Sequence, residues 1–148
     1  MSDLRDLYQE MILDHYRRPR NFRPMENASG EVNGYNPLCG DRVKVFVAVR
    51  DGVVEDVSFQ GSGCAISTAS ASMMTELVVG RTEAEAEGLF EEFHRLVTEG
   101  SVADEESLGK MAVFAGLSEY PARVKCATLS WHTMRAALKG STDAISTE

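Results

Sequence analysis

The chain has 148 residues, enough for one domain with its own core, and 43% of them are hydrophobic. Its formal net charge of −8 opposes binding to nucleic acid or anionic lipid, because both attract proteins through Lys and Arg. No apolar run approaches the roughly 20 residues of a membrane helix, and residues 1–20 lack the apolar core of a signal peptide. We therefore expect a cytoplasmic protein with neither nucleic acid nor membrane as a partner.

The N-terminal part of the chain predicts one helix followed by turns. Apolar residues recur at helical spacing over 3–18, and the helix is expected to end before Pro19. Turn-forming residues, including the pair Asn33-Gly34, fill 21–40, and a strand at 30–33 is weakly signalled.

A β-hairpin is predicted next. Valine alternates with other residues over 42–50, which indicates a strand with one buried face. Asp51-Gly52 is a strong signal for a two-residue turn, and 53–60 is predicted to return as the partner strand.

The second half of the chain predicts helices. Thr82 and Glu85 have the spacing of a capping box at a helix start. Strands and helices are segregated along the chain, which indicates an α+β fold. We expect a single domain at 1–139 and a flexible C-terminal tail at 140–148, which is polar and without periodicity. The predicted helices span 65–79, 83–98, 105–116 and 124–138.

The three cysteines all lie at the edges of predicted elements. Cys39 precedes a strand, Cys64 opens a helix, and Cys126 lies near the start of the last helix. In a reducing compartment, free, catalytic or metal-bound thiols are favoured over disulfides. The helix N-terminus favours the thiolate of Cys64, and the neighbouring Arg123 and Lys125 favour that of Cys126. Three buried, inert thiols are the alternative.

Asp41 adds a carboxylate to this set. It lies two residues after Cys39, so both side chains project to the same side of an extended segment. Together with Cys64 and Cys126 they offer four ligands, which suit tetrahedral Zn²⁺ and also suit iron held by thiolates. Their excess negative charge calls for a nearby cation, for which Arg123 or Lys125 is available.

The histidines are not predicted as ligands. His15 lies on the apolar face of the first helix, where a packing role is favoured. His94 is expected on a solvated face. His132 points away from Cys126 on the last helix, because six residues correspond to a rotation of about 240° beyond one full turn.

Several motifs occur in one order: Ile12-Leu13-Asp14-His15-Tyr16, Asn36-Pro37-Leu38-Cys39-Gly40-Asp41, Gly63-Cys64-Ala65-Ile66-Ser67 and Pro121-Ala122-Arg123-Val124-Lys125-Cys126. Together they resemble the SufU branch of the IscU/NifU-like family of iron–sulfur cluster assembly proteins, over about residues 3–138. The resemblance implies a small three-stranded antiparallel sheet with helices packed on one face. It also implies that the metal ligands are Cys39, Asp41, Cys64 and Cys126.

The branch is indicated by two features. Scaffolds of the IscU type look like they carry a His directly before the last Cys. This chain has Lys125 at that position. The segment 99–120 resembles the insertion of the SufU branch. The resemblance thus implies a zinc-dependent sulfurtransferase that accepts persulfide sulfur from a PLP-dependent, SufS-like cysteine desulfurase and serves downstream iron–sulfur assembly proteins.

Within that reading, Cys39 is the predicted sulfur acceptor, because its loop can move while Cys64 and Cys126 are anchored to helices. Arg123 is predicted to offset the negative charge or to pair with Asp41. Two alternatives stay open: a scaffold on which a [2Fe–2S] cluster is assembled with transiently bound iron, and a metal-stabilised interaction module without chemistry.

Overall fold

A mixed β-sheet organises the molecule in the computed structural model, which describes residues 2–100, 102 and 106–147, with side chains from residue 6 onward. The strand order is β3-β2-β1-β4. Both β1 and β3 pair antiparallel with β2, and β4 pairs parallel with β1. The strands are β1 (Gly30–Asn36), β2 (Asp41–Arg50), β3 (Val53–Ser62) and β4 (Ile145–Ser146).

The predicted α+β class is confirmed, but the predicted count of three strands is wrong. The region expected to be a flexible tail supplies β4, in which Ile145 and Ser146 pair with Gly34 and Tyr35. This pairing covers the otherwise free edge of β1, and Ile145 packs against the hydrophobic core. A strand of two residues carries no periodic signal in the sequence.

Helices cover one face of the sheet. α4 packs on β1 and β2, and α2 packs on β3. Alternate residues of β1 are buried against them, and the rest are exposed. Trp131, Phe59 and Phe93 are among the largest fully buried side chains of this core. The helices are α1 (Ser2–Arg17), α2 (Ala65–Val78), α3 (Glu83–Glu99) and α4 (Pro121–Leu138), and a 3-10 helical segment spans Glu106–Glu119.

The local signals at the hairpin and at α3 are confirmed. Asp51 and Gly52 have φ values of 54° and 77°, as a tight turn with two left-handed residues requires. The Thr82 hydroxyl accepts a hydrogen bond from the Glu85 backbone N–H, and the Glu85 carboxylate accepts one from the Thr82 backbone N–H. This is the predicted capping box.

Two other expectations need correction. Asn33-Gly34 forms no turn but lies inside β1, where an added Cβ on Gly34 would collide with the Thr133 hydroxyl of α4. The helix predicted at 105–116 is a 3-10 segment that begins, within the described residues, at Glu106 and is kinked at Gly109, whose φ is 53°.

Among the described residues, no helix combines the length and apolar character needed to cross a membrane.

His15 joins α1 to α2. Its side chain is nearly fully buried, its Nδ1 lies 2.7 Å from Ser72 Oγ, and its Nε2 lies 4.0 Å from a Glu76 carboxylate oxygen. Burial lowers the pKa of His15 below its ordinary value; the positive charge of Arg20 acts in the same direction, and Glu76 opposes it. The structure therefore gives His15 the packing role that the sequence favoured.

We predict that acid destabilises this contact. Because the folded pKa of His15 is lowered, the unfolded chain binds a proton more readily, so stability is lost as pH falls below the ordinary value of 6.5. His15→Gln should reduce the pH dependence of the free energy of unfolding, measured by urea denaturation between about pH 8 and pH 5. His94→Gln, at an exposed imidazole, is the matched control. Equal pH dependence in His15→Gln and wild type would contradict this role.

Candidate metal centre

The four predicted ligands come from three segments that meet at one end of the sheet. Cys39 lies in the loop 37–40 between β1 and β2, and Asp41 is the first residue of β2. Cys64 is the N-cap of α2, two residues after the end of β3. Cys126 lies in the second turn of α4 and is buried. The antiparallel pairing of β2 with β3 places the start of β2 beside the end of β3.

Three of the four predicted ligands are close enough to share one ion: Cys39, Asp41 and Cys126 each offer an atom within 4.8 Å of the other two. Cys64 does not belong to that group of three. The sulfurs of Cys39 and Cys126 are 3.1 Å apart, and the sulfur of Cys64 approaches Asp41 Oδ2 at 3.9 Å. Tetrahedral zinc, with Zn–S bonds of about 2.3 Å, separates its sulfur ligands by roughly 3.8 Å. The donor set therefore fits Zn²⁺, while the ligand roles themselves stay a prediction.

Asp41 is held by backbone and side-chain donors. The carboxylate is only 1% exposed, and burying a charge is costly unless it is hydrogen-bonded. Its Oδ1 accepts a bond of 2.9 Å from the Cys64 N–H, and its Oδ2 accepts one of 3.2 Å from Asn36 Nδ2. The chain can approach this closely because residue 63 is glycine: an added Cβ would lie 2.5 Å from Asp41 Oδ1.

Asn36 was not identified from the sequence as part of this site. It is fully buried, and its Nδ2 lies 3.4 Å from Cys126 Sγ as well as within reach of Asp41. Its Oδ1 has no hydrogen-bond partner among the residues that the structure describes. Side chains alternate between the two faces of a strand, and Val32, Gly34 and Asn36 are buried along β1. This period of two places the Asn36 amide on the core side.

The two helix-anchored thiols have different surroundings. Cys64 caps α2 as expected, and its sulfur accepts a hydrogen bond of 3.4 Å from the Ser67 N–H. Burial raises the pKa of the Cys126 thiol above its ordinary value, and its hydrogen bonds with Cys39 and Asp41 add to this. The prediction that neighbouring cations favour the Cys126 thiolate is thus wrong for the metal-free protein. A bound cation reverses this effect, because a coordinated thiol loses its proton.

Arg123 does not make the contact proposed for it. Its side chain is exposed, and within the described part of the chain it forms no ion pair with Asp41. The Asn36 amide and the Cys64 backbone N–H donate hydrogen bonds to the Asp41 carboxylate instead. Of the two roles predicted for Arg123, the pairing with Asp41 is therefore wrong, and the offset of charge at longer range stays a prediction.

No imidazole belongs to the ligand group found among the described residues. His15 is bound to Ser72. His94 and His132 lie beside each other, with ring centroids 6.1 Å apart, and both contact Phe90. The cluster is thus made of sulfur and carboxylate donors.

The site is flanked by exposed apolar side chains. Leu38, which precedes Cys39, is 66% exposed, and Tyr120, which precedes α4, is 61% exposed. Tyr35, next to Asn36 in the sequence, is exposed on the opposite face of β1 and does not border the cluster.

Comparison with known proteins confirms the resemblance drawn from the motifs. The family model described as "NifU-like N terminal domain" matches residues 7–127. An iron–sulfur cluster assembly scaffold protein IscU of Streptococcus pyogenes is 36% identical over 97% of this chain and 90% of its own length. The zinc-dependent sulfurtransferase SufU of Bacillus subtilis is 40% identical over 90% of each chain. The crystal structure of the N-terminal part of a NifU-like protein from Brucella abortus has a TM-score of 0.83 at 26% identity, and the match covers 93% of this chain and 95% of that one.

We predict that Gly63→Ala weakens metal binding. The new methyl group displaces the Asp41 carboxylate, and loss of such positioning typically lowers metal affinity about 10- to 100-fold. Zinc affinity, measured by competition with a chromophoric chelator, is the test.

Gly88→Ala is the matched control, because an added Cβ at this position of α3 meets open space. It should keep wild-type zinc affinity and gain up to about 1 kcal/mol in the free energy of unfolding. Equal zinc affinity in the two variants would contradict the role assigned to Gly63.

Proposed function

Because the chain belongs to the NifU-like N-terminal domain family, whose members act in iron–sulfur cluster assembly, we propose that it is a zinc-dependent sulfurtransferase. Its sulfur acceptor is Cys39, and its sulfur donor is the persulfide of a PLP-dependent cysteine desulfurase. It then passes the sulfur to downstream iron–sulfur assembly proteins. Zn²⁺ is held by Cys39, Asp41, Cys64 and Cys126.

The observation that carries this proposal is an asymmetry among the ligands. Cys64 Sγ accepts an N–H hydrogen bond from Ser67, and Cys126 Sγ accepts one from Asn36. Both oxygens of Asp41 also accept N–H bonds. Among the described residues, no N–H group donates to Cys39 Sγ.

This asymmetry makes Cys39 the most reactive sulfur. A hydrogen bond to a thiolate withdraws charge from the sulfur, and nucleophilicity falls as basicity falls. Cys39 is also partly exposed, whereas Cys126 is buried. It lies in a four-residue loop after a strand, so it can leave the cluster without displacing a helix.

The transfer step balances without an added oxidant or reductant. The Cys39 thiolate attacks the terminal sulfur of the donor persulfide and forms a new S–S bond. The S–S bond of the donor breaks, and its electron pair leaves with the donor cysteine as a thiolate. Cys39 then carries the persulfide. Bound zinc keeps the ligand thiols deprotonated at neutral pH.

The exposed apolar residues support a protein donor. Leu38 is adjacent to the acceptor, and Tyr120 precedes the helix that carries Cys126. A desulfurase that covers these side chains brings its persulfide to the Cys39 loop and excludes water from the reacting sulfurs.

A scaffold for a [2Fe–2S] cluster is the second candidate, because one of the relatives reported above is named as a scaffold protein. The same four ligands suit iron. The donor set favours the sulfurtransferase, since Lys125 replaces the histidine expected in scaffolds and no imidazole joins the described cluster.

We predict that Cys39→Ala abolishes sulfur uptake. After incubation with desulfurase and cysteine, intact-mass spectrometry should show one added sulfur on wild type and background on the variant. Circular dichroism verifies that the variant is folded. Asp41→Ala is the companion variant, since it removes a ligand but keeps the acceptor. Wild-type uptake by Cys39→Ala would overturn the choice of acceptor.

We further predict that the protein purified without added iron is colourless and contains about one zinc per chain. Elemental analysis should show zinc strongly reduced in Asp41→Ala. A brown protein with stoichiometric iron and sulfide would favour the scaffold instead. Desulfurase turnover is the third readout, because a module without chemistry should not stimulate it.

A further inference from the structure

We propose that Asn36 is a positioning residue that fixes Asp41 and Cys126 as permanent ligands, so that Cys39 is the ligand released for sulfur transfer. This inference rests on the proposed function for its account of Cys39. The hydrogen bonds that carry it belong to the described structure and do not depend on the identity of the sulfur donor.

The geometry assigns each of the two Nδ2 protons of Asn36 to a different ligand. Asn36 Nδ2 lies 3.2 Å from Asp41 Oδ2 and 3.4 Å from Cys126 Sγ. An –NH₂ group has two N–H bonds, so one serves the carboxylate and the other the sulfur. Asn36 is fully buried, which shields both bonds from competition with water.

The unpaired end of the amide supports the same orientation. Asn36 Oδ1 finds no partner among the described residues, although buried polar atoms are usually paired. The contacts that orient this side chain therefore lie on its donor end, toward two anionic ligands. A buried amide with one end unsatisfied indicates a role in the site rather than in the stability of the core.

The backbone of Asn36 acts on the acceptor loop. Its carbonyl oxygen accepts a hydrogen bond of 3.3 Å from the Cys39 N–H. Asn36 is thus the last residue of β1 and the attachment point of the loop that carries Cys39. Its side chain holds two ligands in place, while no N–H group among the described residues donates to Cys39 Sγ.

Asn36 also directs a neutral dipole at the ligands, at a distance where Arg123 makes no contact. The exposed Arg123 side chain does not contact Asp41, whereas the Asn36 amide directs the positive end of its dipole at both Asp41 and Cys126. A neutral donor reduces the charge on these ligands without the cost of burying a cation.

The test compares Asn36→Leu, Asn36→Asp and the matched control Asn33→Leu. Leu has the same branched arrangement of heavy atoms as Asn but no donor, and Asp replaces the donor with an acceptor. Asn33 lies on the exposed face of the same strand. Zinc affinity, measured by chelator competition without desulfurase, should fall about 10- to 100-fold in Asn36→Leu and further in Asn36→Asp, and stay unchanged in Asn33→Leu.

Cobalt spectroscopy separates positioning from packing. In the Co²⁺-loaded protein, loss of the N–H donor to the Cys126 sulfur raises the energy of its lone pairs. The thiolate-to-cobalt absorption of Asn36→Leu should therefore move to longer wavelength than that of Asn33→Leu. If Asn36→Leu does not fold, Asn36→Asp provides the same comparison.

Two results would overturn the inference. Zinc affinity of both Asn36 variants equal to that of Asn33→Leu would show that the amide does not hold the ligands. Equal losses in Leu and Asp with an unchanged cobalt spectrum would show a packing role only. Because neither measurement involves sulfur transfer, the proposed function can fail through Cys39→Ala while this result stands.

Discussion

A buried carboxylate ties the site together. Asp41 is the first residue of β2, and it is almost completely removed from water. Such a charge is stable only when donors surround it, and its donors are the backbone N–H at the start of α2 and the amide at the end of β1. The carboxylate therefore fixes three segments relative to one another. Glycine at position 63 is a condition of this arrangement, since a side chain there would occupy the space of Asp41 Oδ1.

The hydrogen bonds to Asp41 and to the sulfurs also hold residues that are distant in the sequence in one cluster. Three thiolates and a carboxylate repel one another when ionised, and burial raises the pKa of the Cys126 thiol. A divalent cation removes this repulsion. The protein's own contribution is a set of neutral N–H donors from Ser67, Cys64 and Asn36. Neutral donors suit the proposed release of a ligand, because a buried cation would compete with the metal for the same thiolates.

Local sequence signals predicted local structure well. The Asp51-Gly52 turn and the Thr82 capping box depend on a few adjacent residues, and both are present. The proximity of Cys39, Asp41 and Cys126, with Cys64 beside Asp41, agrees with the ligand set that the resemblance to known motifs implied. β4 and the contacts of Asn36 were missed, because both depend on which distant segment lies alongside. Arg123 was misjudged for the same reason: sequence adjacency to Cys126 does not determine where an exposed side chain points.

Relatives of this chain are named both as scaffolds and as sulfurtransferases, and the arrangement of donors around the candidate ligands bears on which role fits this chain. Thiolates around a metal differ in reactivity through their hydrogen bonds more than through their identity. Here the helix-anchored sulfurs each accept an N–H bond, and the loop sulfur of Cys39 accepts none among the described residues. A site that leaves one thiolate without an N–H donor, in a loop and not on a helix, favours group transfer at that thiolate. Four equally supported ligands would instead favour retention of a cluster. For this chain, the residues around the ligands therefore bear on the choice between the two functions, and Asn36 contacts two of the ligands.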